Sequence, residues 1–324
     1  MVPLISILIL IILAVGQTVD DGLFVPSPAA IVAAQTQMSA LVPAVTETPA
    51  SILFGGDMMF DRSIRDAIER KGSDYIFSCI DPTLRGSDLV VANLEGPITA
   101  SSSVSRGTAP GSQFNYTFTF ATTTGEMLYD HGIRAVSIGN NHIFNFDLFG
   151  VKETERYLDE AGIIHFGDPD KLESDRVARI EVRGIPVSLV NWSDWTSDKT
   201  DHTVAQVRAE AQAGRVVFVY AHWGNEYATT SPSRVHVLAH QFVDAGASGV
   251  FGSHPHVVAE SEYYKGAPIY YSLGNMIFDQ FWMDSVTHGL LVRVEFTKKG
   301  VVHASEIPVV LGRDRRTCPV QSGS

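Results

Sequence analysis

Cysteine is scarce: Cys79 and Cys318 are the only two in 324 residues. Two are too few for a zinc ribbon or a disulfide framework, and the sequence alone leaves their pairing open. Clustered positive charge is also missing. Lys and Arg number 24 against 36 Asp and Glu, giving a formal net charge of −12. No run of Lys or Arg interrupts this acidic balance, and phosphate-backbone recognition needs clustered cations. Nucleic acid is therefore excluded as a partner. The composition is otherwise that of a globular protein, 45% hydrophobic and 19% charged.

A long hydrophobic run is lacking too. Residues 2–15 are almost wholly apolar, but shorter than the ~20 residues of a spanning helix. Ala14 and Gly16 before Gln17 resemble a signal-peptidase site. Residues 1–16 therefore read as a signal peptide, or alternatively as an uncleaved N-terminal membrane anchor. The absence of Lys or Arg before the apolar core counts against both. Residues 17–50, rich in Ala, Thr, Pro and Val without sustained periodicity, read as a flexible linker. The protein is expected outside the cytoplasmic membrane, secreted or tethered, with membrane contact through the N-terminus if it is uncleaved.

The folded domain is expected over 51–312. Residues 51–57 predict a short buried strand ending in Gly55-Gly56-Asp57, and helical spacing follows through Ile64, Ala67 and Ile68. A second strand, 88–92, runs into Asn93-Leu94-Glu95-Gly96-Pro97. Residues 99–112 predict a surface loop, after which Phe114, Tyr116, Phe118 and Phe120 alternate as in a half-buried strand. A third strand, 134–139, delivers Asn140-Asn141-His142, followed by a helix over 149–161. A strand over 163–166 and a hairpin turning at Arg183-Gly184 come next. A helix over 203–213 precedes strand 215–221, which ends in His222-Trp223-Gly224-Asn225-Glu226-Tyr227. A helix over 235–245 leads to strand 248–251, and strands 257–264 and 268–272 meet at Lys265-Gly266. A hairpin over 290–310 closes the domain, and the polar tail 313–324 is expected to fray. Strands interleaved with helices, then more strands, predict an α/β sandwich with two sheets inside and helices outside.

Gly252-Ser253-His254-Pro255-His256 is the sharpest local motif. Proline pushes its predecessor toward extended conformations, and alternate side chains of an extended chain share a side. Two imidazoles would then face one small volume. They form half of a metal site, or a pair of turn histidines bonded to carbonyls. Five strand ends carry such groups: Asp57, Asn93 with Glu95, Asn141 with His142, His222, and His254 with His256. Singly, Asp57 could cap a helix, Glu95 could brace a turn and His222 could be a packed core histidine. Together they point to one cleft, because strand termini on one edge of a sheet converge. Oxygen and imidazole donors without thiolates suit a hard-to-intermediate divalent ion and argue against structural zinc.

These motifs also occur in a recognisable order. Gly56-Asp57-x-Met59 with Arg62, Asn93-Leu94-Glu95-x-Pro97, and Asn140-Asn141-His142 come first. His222-Trp223-Gly224-x-Glu226-Tyr227, His254-Pro255-His256-Val257 and Tyr271-Ser272-Leu273-Gly274-Asn275 follow. The set resembles the capsule and poly-γ-glutamate biosynthesis (CapA) family, a branch of the calcineurin-like metallophosphatase superfamily. The resemblance implies a metallophosphatase-like four-layer sandwich, two inner mixed β-sheets flanked by helices. It implies one or two divalent metal ions of the Mn, Fe or Zn type. Asp57 and His256 would hold one ion, Asn141, His222 and His254 the other, with Glu95 bridging. His142 would be the general acid, and Arg62 would hold an anionic substrate group through its guanidinium. Three departures stand out. Met59 replaces the usual histidine two residues after Asp57, the bridging acid is a Glu, and Asn145 stands where many members carry Asp, with Asp147 two residues on.

The function implied is that of an extracytoplasmic metal-dependent hydrolase. It would act in synthesis, release or attachment of an anionic cell-surface polymer, with that polymer or its precursor as partner. A non-catalytic accessory of a membrane polymer synthase or exporter is the alternative, and a generic phosphomonoester or phosphodiester hydrolase is a further one.

Overall fold

Strand β1 (Ala50–Met58) shows how the sequence builds layers. Successive side chains of a strand point to opposite faces. Ile52 and Phe54 accordingly enter one apolar cluster, while Leu53 between them enters another. The chain continues through α1 (Arg62–Lys71), β2 (Leu89–Leu94), α2 (Thr124–Asp130), β3 (Ala135–Ser137), α3 (Asp147–Glu160) and β4 (Ile164–Phe166). Next come β5 (Ala178–Val182), β6 (Ile185–Ser193), α4 (Thr200–Gln212), β7 (Val216–His222), α5 (Ser233–Ala245) and β8 (Ala247–Ser253). The last elements are β9 (Ser261–Tyr264), β10 (Ala267–Tyr270), β11 (Asn275–Ile277), β12 (His288–Thr297), β13 (Gly300–Leu311) and β14 (Thr317–Pro319).

The first sheet has the order β14-β13-β12-β1-β2-β3-β4, and β11 also pairs with β1. Strands β1 to β4 run parallel, and β12 joins β1 antiparallel. The second sheet has the order β9-β10-β8-β7-β6-β5, parallel from β10 to β6 with an antiparallel strand at each edge. Between the sheets lies a core in which Phe54 stacks on Phe251 at 3.7 Å and meets Phe218 at 5.4 Å. Leu53, Val90 and Leu291 on the far face of the first sheet pack with Ile64, Leu128 and Leu158 of α1, α2 and α3. Val217, Val219 and Val250 do the same with Val207, Leu238 and Phe242 of α4 and α5. The expected four-layer sandwich of two mixed sheets between helices is the observed architecture.

The computed structural model describes residues 16–18, 24–26, 48–171, 176–196 and 200–320. Two compact units divide the chain, Met1–Thr48 and Pro49–Ser324. Within the first, Gly16–Thr18 pairs antiparallel with Phe24–Pro26. The apolar segment 2–15 and most of the linker lie outside the described residues. Among the described residues no helix is long and apolar enough to cross a membrane.

Two local expectations fail. The alternating aromatics at 114–120 do not form a strand, because Gln113–Tyr116 folds into a 3-10 turn that leaves Phe114 and Tyr116 exposed. Only Phe118 and Phe120 are buried, and Phe120 makes a single bridge to Ile98. The segment after Arg313 does not fray as far as Pro319. Thr317–Pro319 pairs with β13, Thr317 Oγ1 donates to the Met276 carbonyl at 2.7 Å, and Cys318 is disulfide-bonded to Cys79.

Candidate metal centre

The strand ends meet because of sheet register. Asp57 lies opposite both Asn93 and Asn275 in the first sheet, and His222 lies opposite Ser253 in the second. Backbones approach closely here. A Cβ on Gly56 would lie 1.9 Å from the Gly274 carbonyl oxygen, and one on Gly252 would lie 2.1 Å from that of Tyr271. Glycine is required at both positions by this contact.

The histidine pair converges by a route other than the expected one. His254 and His256 have φ of 95° and 58°, so neither is extended. Positive φ in non-glycine residues costs about 1–3 kcal/mol and persists where surrounding contacts enforce it. Here the His254 N–H donates to Asp57 Oδ2 at 3.1 Å, tying the loop to the carboxylate. The two rings stand 6.1 Å apart.

Asp57, Glu95 and His222 are fully buried, and His254 and His256 nearly so. Asp57 Oδ2 is 3.2 Å from His256 Nδ1, and Asn93 Nδ2 donates to Asp57 Oδ1 at 2.8 Å. His256 Nε2 is 3.5 Å from Glu95 Oε1, and His256 Nδ1 is 3.0 Å from Asn275 Oδ1. Across the cleft His222 Nε2 faces Asn141 Oδ1 at 2.8 Å. Ser253 Oγ, which donates to the Ala221 carbonyl, is 2.9 Å from His222 Nδ1. With the proton on Nδ1, His222 presents an Nε2 lone pair beside a second acceptor, the arrangement a cation would join.

Two groups of ligand atoms lie within 4.8 Å of one another: Asp57, Glu95 and His256, and Glu95, His222 and His254. Glu95 is common to both. Glu95 Oε1 and His254 Nδ1 are buried without a hydrogen-bond partner. Orphaned buried acceptors cost about 1–3 kcal/mol each, and a divalent ion would satisfy both. The nitrogen and oxygen donor set suits ions of the Mn, Fe or Zn type. The residues present therefore fit such a group.

The electrostatics follow from burial. Burial, then the adjacent Asp57 carboxylate, pushes the Glu95 carboxyl well above its ordinary range. Burial acts on Asp57 in the same direction, but the His256 hydrogen bond and the charges of His256 and His222 outweigh it and hold Asp57 low. Burial, then neighbouring His254, pushes His222 well down. Burial, then His256, brings His254 to about 4. These imidazoles are neutral at physiological pH, the form that binds metal.

His142 sits on the rim with Nε2 3.8 Å from Glu95 Oε1. Its Nδ1 is 3.2 Å from Asn145 Oδ1, which also accepts the Phe118 N–H at 2.7 Å. Burial lowers His142 to about 3, and the neutral Asn145 only partly opposes this. Asp147 is exposed at the start of α3. Arg62 does not present its fork to the centre as expected. Nη2 meets Asp279 Oδ1 at 2.5 Å and Nη1 meets Asn115 Oδ1 at 3.0 Å, while only Nε lacks a partner. Its guanidinium lies between Phe118 and Phe278, whose rings touch His142 and His256.

Residues 51–280 match the family model described as "Bacterial capsule synthesis protein PGA_cap". The chain belongs to this family. The capsule biosynthesis protein CapA of Bacillus anthracis is 28% identical over 246 residues, 70% of this chain and 59% of that protein. The PGA biosynthesis protein CapA of Bacillus subtilis is 28% identical over 292 residues, 85% of this chain and 74% of that protein. A probable polyglutamine synthesis accessory protein of Mycobacterium tuberculosis is 31% identical over 170 residues, 44% of each chain. The match thus spans less than two thirds of the Bacillus anthracis relative.

Met59 is fully buried in the helix-side core, where its Sδ accepts the Asp61 N–H at 3.0 Å. Its side chain is no part of the centre. Sequence reasoning missed Ser253 as the partner of His222 and Trp195 as the cover of the pair. The Trp195 ring is 4.2 Å from His254 and 5.4 Å from His222. Its signal was available, since Trp195 lies two residues beyond the end of β6.

Proposed function

We propose that this capsule-family protein is an extracytoplasmic metal-dependent hydrolase acting on an anionic cell-surface polymer or its precursor. The observation that carries the reading is Glu95, a fully buried carboxylate with an unpartnered oxygen, shared by two ligand groups. A divalent ion bound there supplies Lewis-acid activation of water and charge neutralisation. Asp57, Glu95, His222, His254 and His256 would hold it, with the imidazoles of His222 and His254 in their neutral form. Asn141 completes the His222 side. His142, anchored at Nδ1 by Asn145, keeps Nε2 toward the centre, where a proton taken up can pass to a leaving oxygen. Arg62, fixed by Asp279, sets positive charge on the wall without clamping substrate. Two things support the polymer and the location. The relatives named above are capsule and PGA biosynthesis proteins, and disulfides such as Cys79–Cys318 persist in oxidising compartments.

Metal-loaded protein is expected to hydrolyse aryl phosphates, phosphodiesters or the polymer, with His254→Ala and His256→Ala inactive. Metal-loaded wild type without activity on any of these would overturn the enzymatic reading. The accessory alternative is favoured by Asn145, since a carboxamide cannot raise the basicity of His142 as a carboxylate would. Under that reading metal binds and no turnover occurs.

A further inference from the structure

The imidazoles around the centre are not held alike. A metal-ligating histidine ordinarily sets its other ring nitrogen against a hydrogen-bond partner, which fixes the tautomer and the ring plane. His222 has Ser253 Oγ 2.9 Å from Nδ1, and His256 has Asn275 Oδ1 3.0 Å from Nδ1. His254 is the exception. Its backbone N–H reaches Asp57, but among the described residues neither ring nitrogen has a hydrogen-bond partner, and Nδ1 is buried. What lies against this ring is aromatic. Trp195 packs on it with ring centres 4.2 Å apart and planes inclined at 54°, and the His222 ring stands edge-on at 4.9 Å. Turning the imidazole about its Cβ–Cγ bond would drive it into one neighbour or the other.

The indole is anchored in turn. The Asp194 N–H donates to the His222 carbonyl at 3.0 Å, and the Trp195 N–H donates to Ser193 Oγ at 3.2 Å. The Asp194 carboxylate accepts Arg234 Nη1 and Nη2 at 2.8 and 2.6 Å, a bidentate pair, and the Gly224 N–H at 3.1 Å. These bonds join the ends of β6 and β7 to the first turn of α5, so the chain at Trp195 is fixed from three elements. The ring itself is 45% exposed and lies outside the apolar clusters of the core. Core packing therefore does not account for its place on a buried ligand histidine.

We infer that Trp195 is the positioning residue for His254. Ring packing does for this ligand what a hydrogen bond does for His222 and His256, and the affinity of the Glu95–His222–His254 group for its ion depends on the indole. The inference rests on the metal-centre part of the proposed function and not on hydrolysis. Outer-shell partners of metal ligands typically account for about 10–100-fold in affinity. Packing without a directed bond belongs at the lower end of that range, about tenfold.

The test is a mutant cycle on full-length protein stripped with chelator and titrated calorimetrically with Co(II) alone. His256→Ala keeps the Glu95–His222–His254 group, and His254→Ala keeps the Asp57–Glu95–His256 group. Adding Trp195→Ala to His256→Ala is expected to weaken Co(II) binding about tenfold, and adding it to His254→Ala should change nothing. Trp195→Phe, which keeps a ring at the position, should recover most of the loss. Arg234→Gln leaves the indole in the chain and releases its clamp, so a smaller loss confined to the His256→Ala background is expected even where Trp195→Ala does not fold. Equal affinity with and without Trp195 in that background overturns the inference. So does equal weakening in both backgrounds, which a general loss of structure would give, or a Phe variant as weak as the Ala variant. His256→Ala that binds no Co(II) while wild type does overturns it too, since the His254 group then holds no ion of its own. Wild type that binds no Co(II) overturns the metal-centre reading itself, which every other outcome leaves standing.

Discussion

Replacing Glu95 by Gln keeps the shape of a fully buried side chain and removes the charge shared by both ligand groups. Two effects of opposite sign follow. In the metal-free protein burial and Asp57 hold the Glu95 pKa above its unfolded value. A raised acid contributes stability that is complete below about pH 4.5 and is lost as pH rises through the folded pKa. Metal-free Glu95→Gln should therefore be the more stable protein at neutral pH, and the difference should vanish toward about pH 4. Asp57 does not blur this window, since the stability from its lowered pKa is constant above about pH 4 and is lost only as pH falls below that. With metal the order reverses. An ion at 100 times its dissociation constant adds about 2.7 kcal/mol to the folded state. For a domain of this size each kcal/mol moves the midpoint about 2–4 °C. Wild type should therefore gain ~5–10 °C on metal addition, and Glu95→Gln close to nothing. Scanning calorimetry with and without Mn or Zn between about pH 4 and 8 reads both. A wild-type-sized metal shift in Glu95→Gln would refute the shared role of this carboxylate. Identical metal-free pH profiles would refute its buried charge.

Other perturbations test the scaffold around it. Cys79→Ala/Cys318→Ala opens a bridge between residues 239 apart, which should lower stability by about 4–5 kcal/mol in denaturant titration. A loss under ~1 kcal/mol would mean the bridge does not hold the C-terminal strand to the domain. Gly56→Ala forces a Cβ to 1.9 Å from the Gly274 carbonyl oxygen. It should separate β1 from the loop before β11 and abolish metal retention, and unchanged metal content would contradict the close approach. Met59→His places an imidazole in the helix-side core, not in the centre. It should cost ~1–3 kcal/mol and add no metal affinity, whereas tighter metal binding would show that this side chain can reach the site.

Much of this architecture is written in strand periodicity. Ile52, Leu53 and Phe54 announce a strand buried on both faces, and a carboxylate at its end is legible as chemistry. Arg183-Gly184, both at positive φ, make the hairpin turn their residue types suggest. What escaped depends on partners distant in sequence. The edge strand Thr317–Pro319 exists because β13 and Cys79 lie beside it, and nothing in its polar composition says so. The left-handed backbone at His254 and His256 is enforced by Asp57, nearly 200 residues away, against the local preference that proline sets. Arg62 reads as a free anion clamp until Asp279 and Asn115 are seen to occupy it.

The central claim is that Glu95 joins two halves of one metal centre. Anomalous diffraction from crystals of protein prepared without chelator, with elemental analysis of the same sample, tests it most directly. Density is expected within bonding distance of Glu95 Oε1, flanked by Asp57 and His256 on one side and by His222 and His254 on the other. Protein that carries no metal, or metal bound away from Glu95, would contradict it.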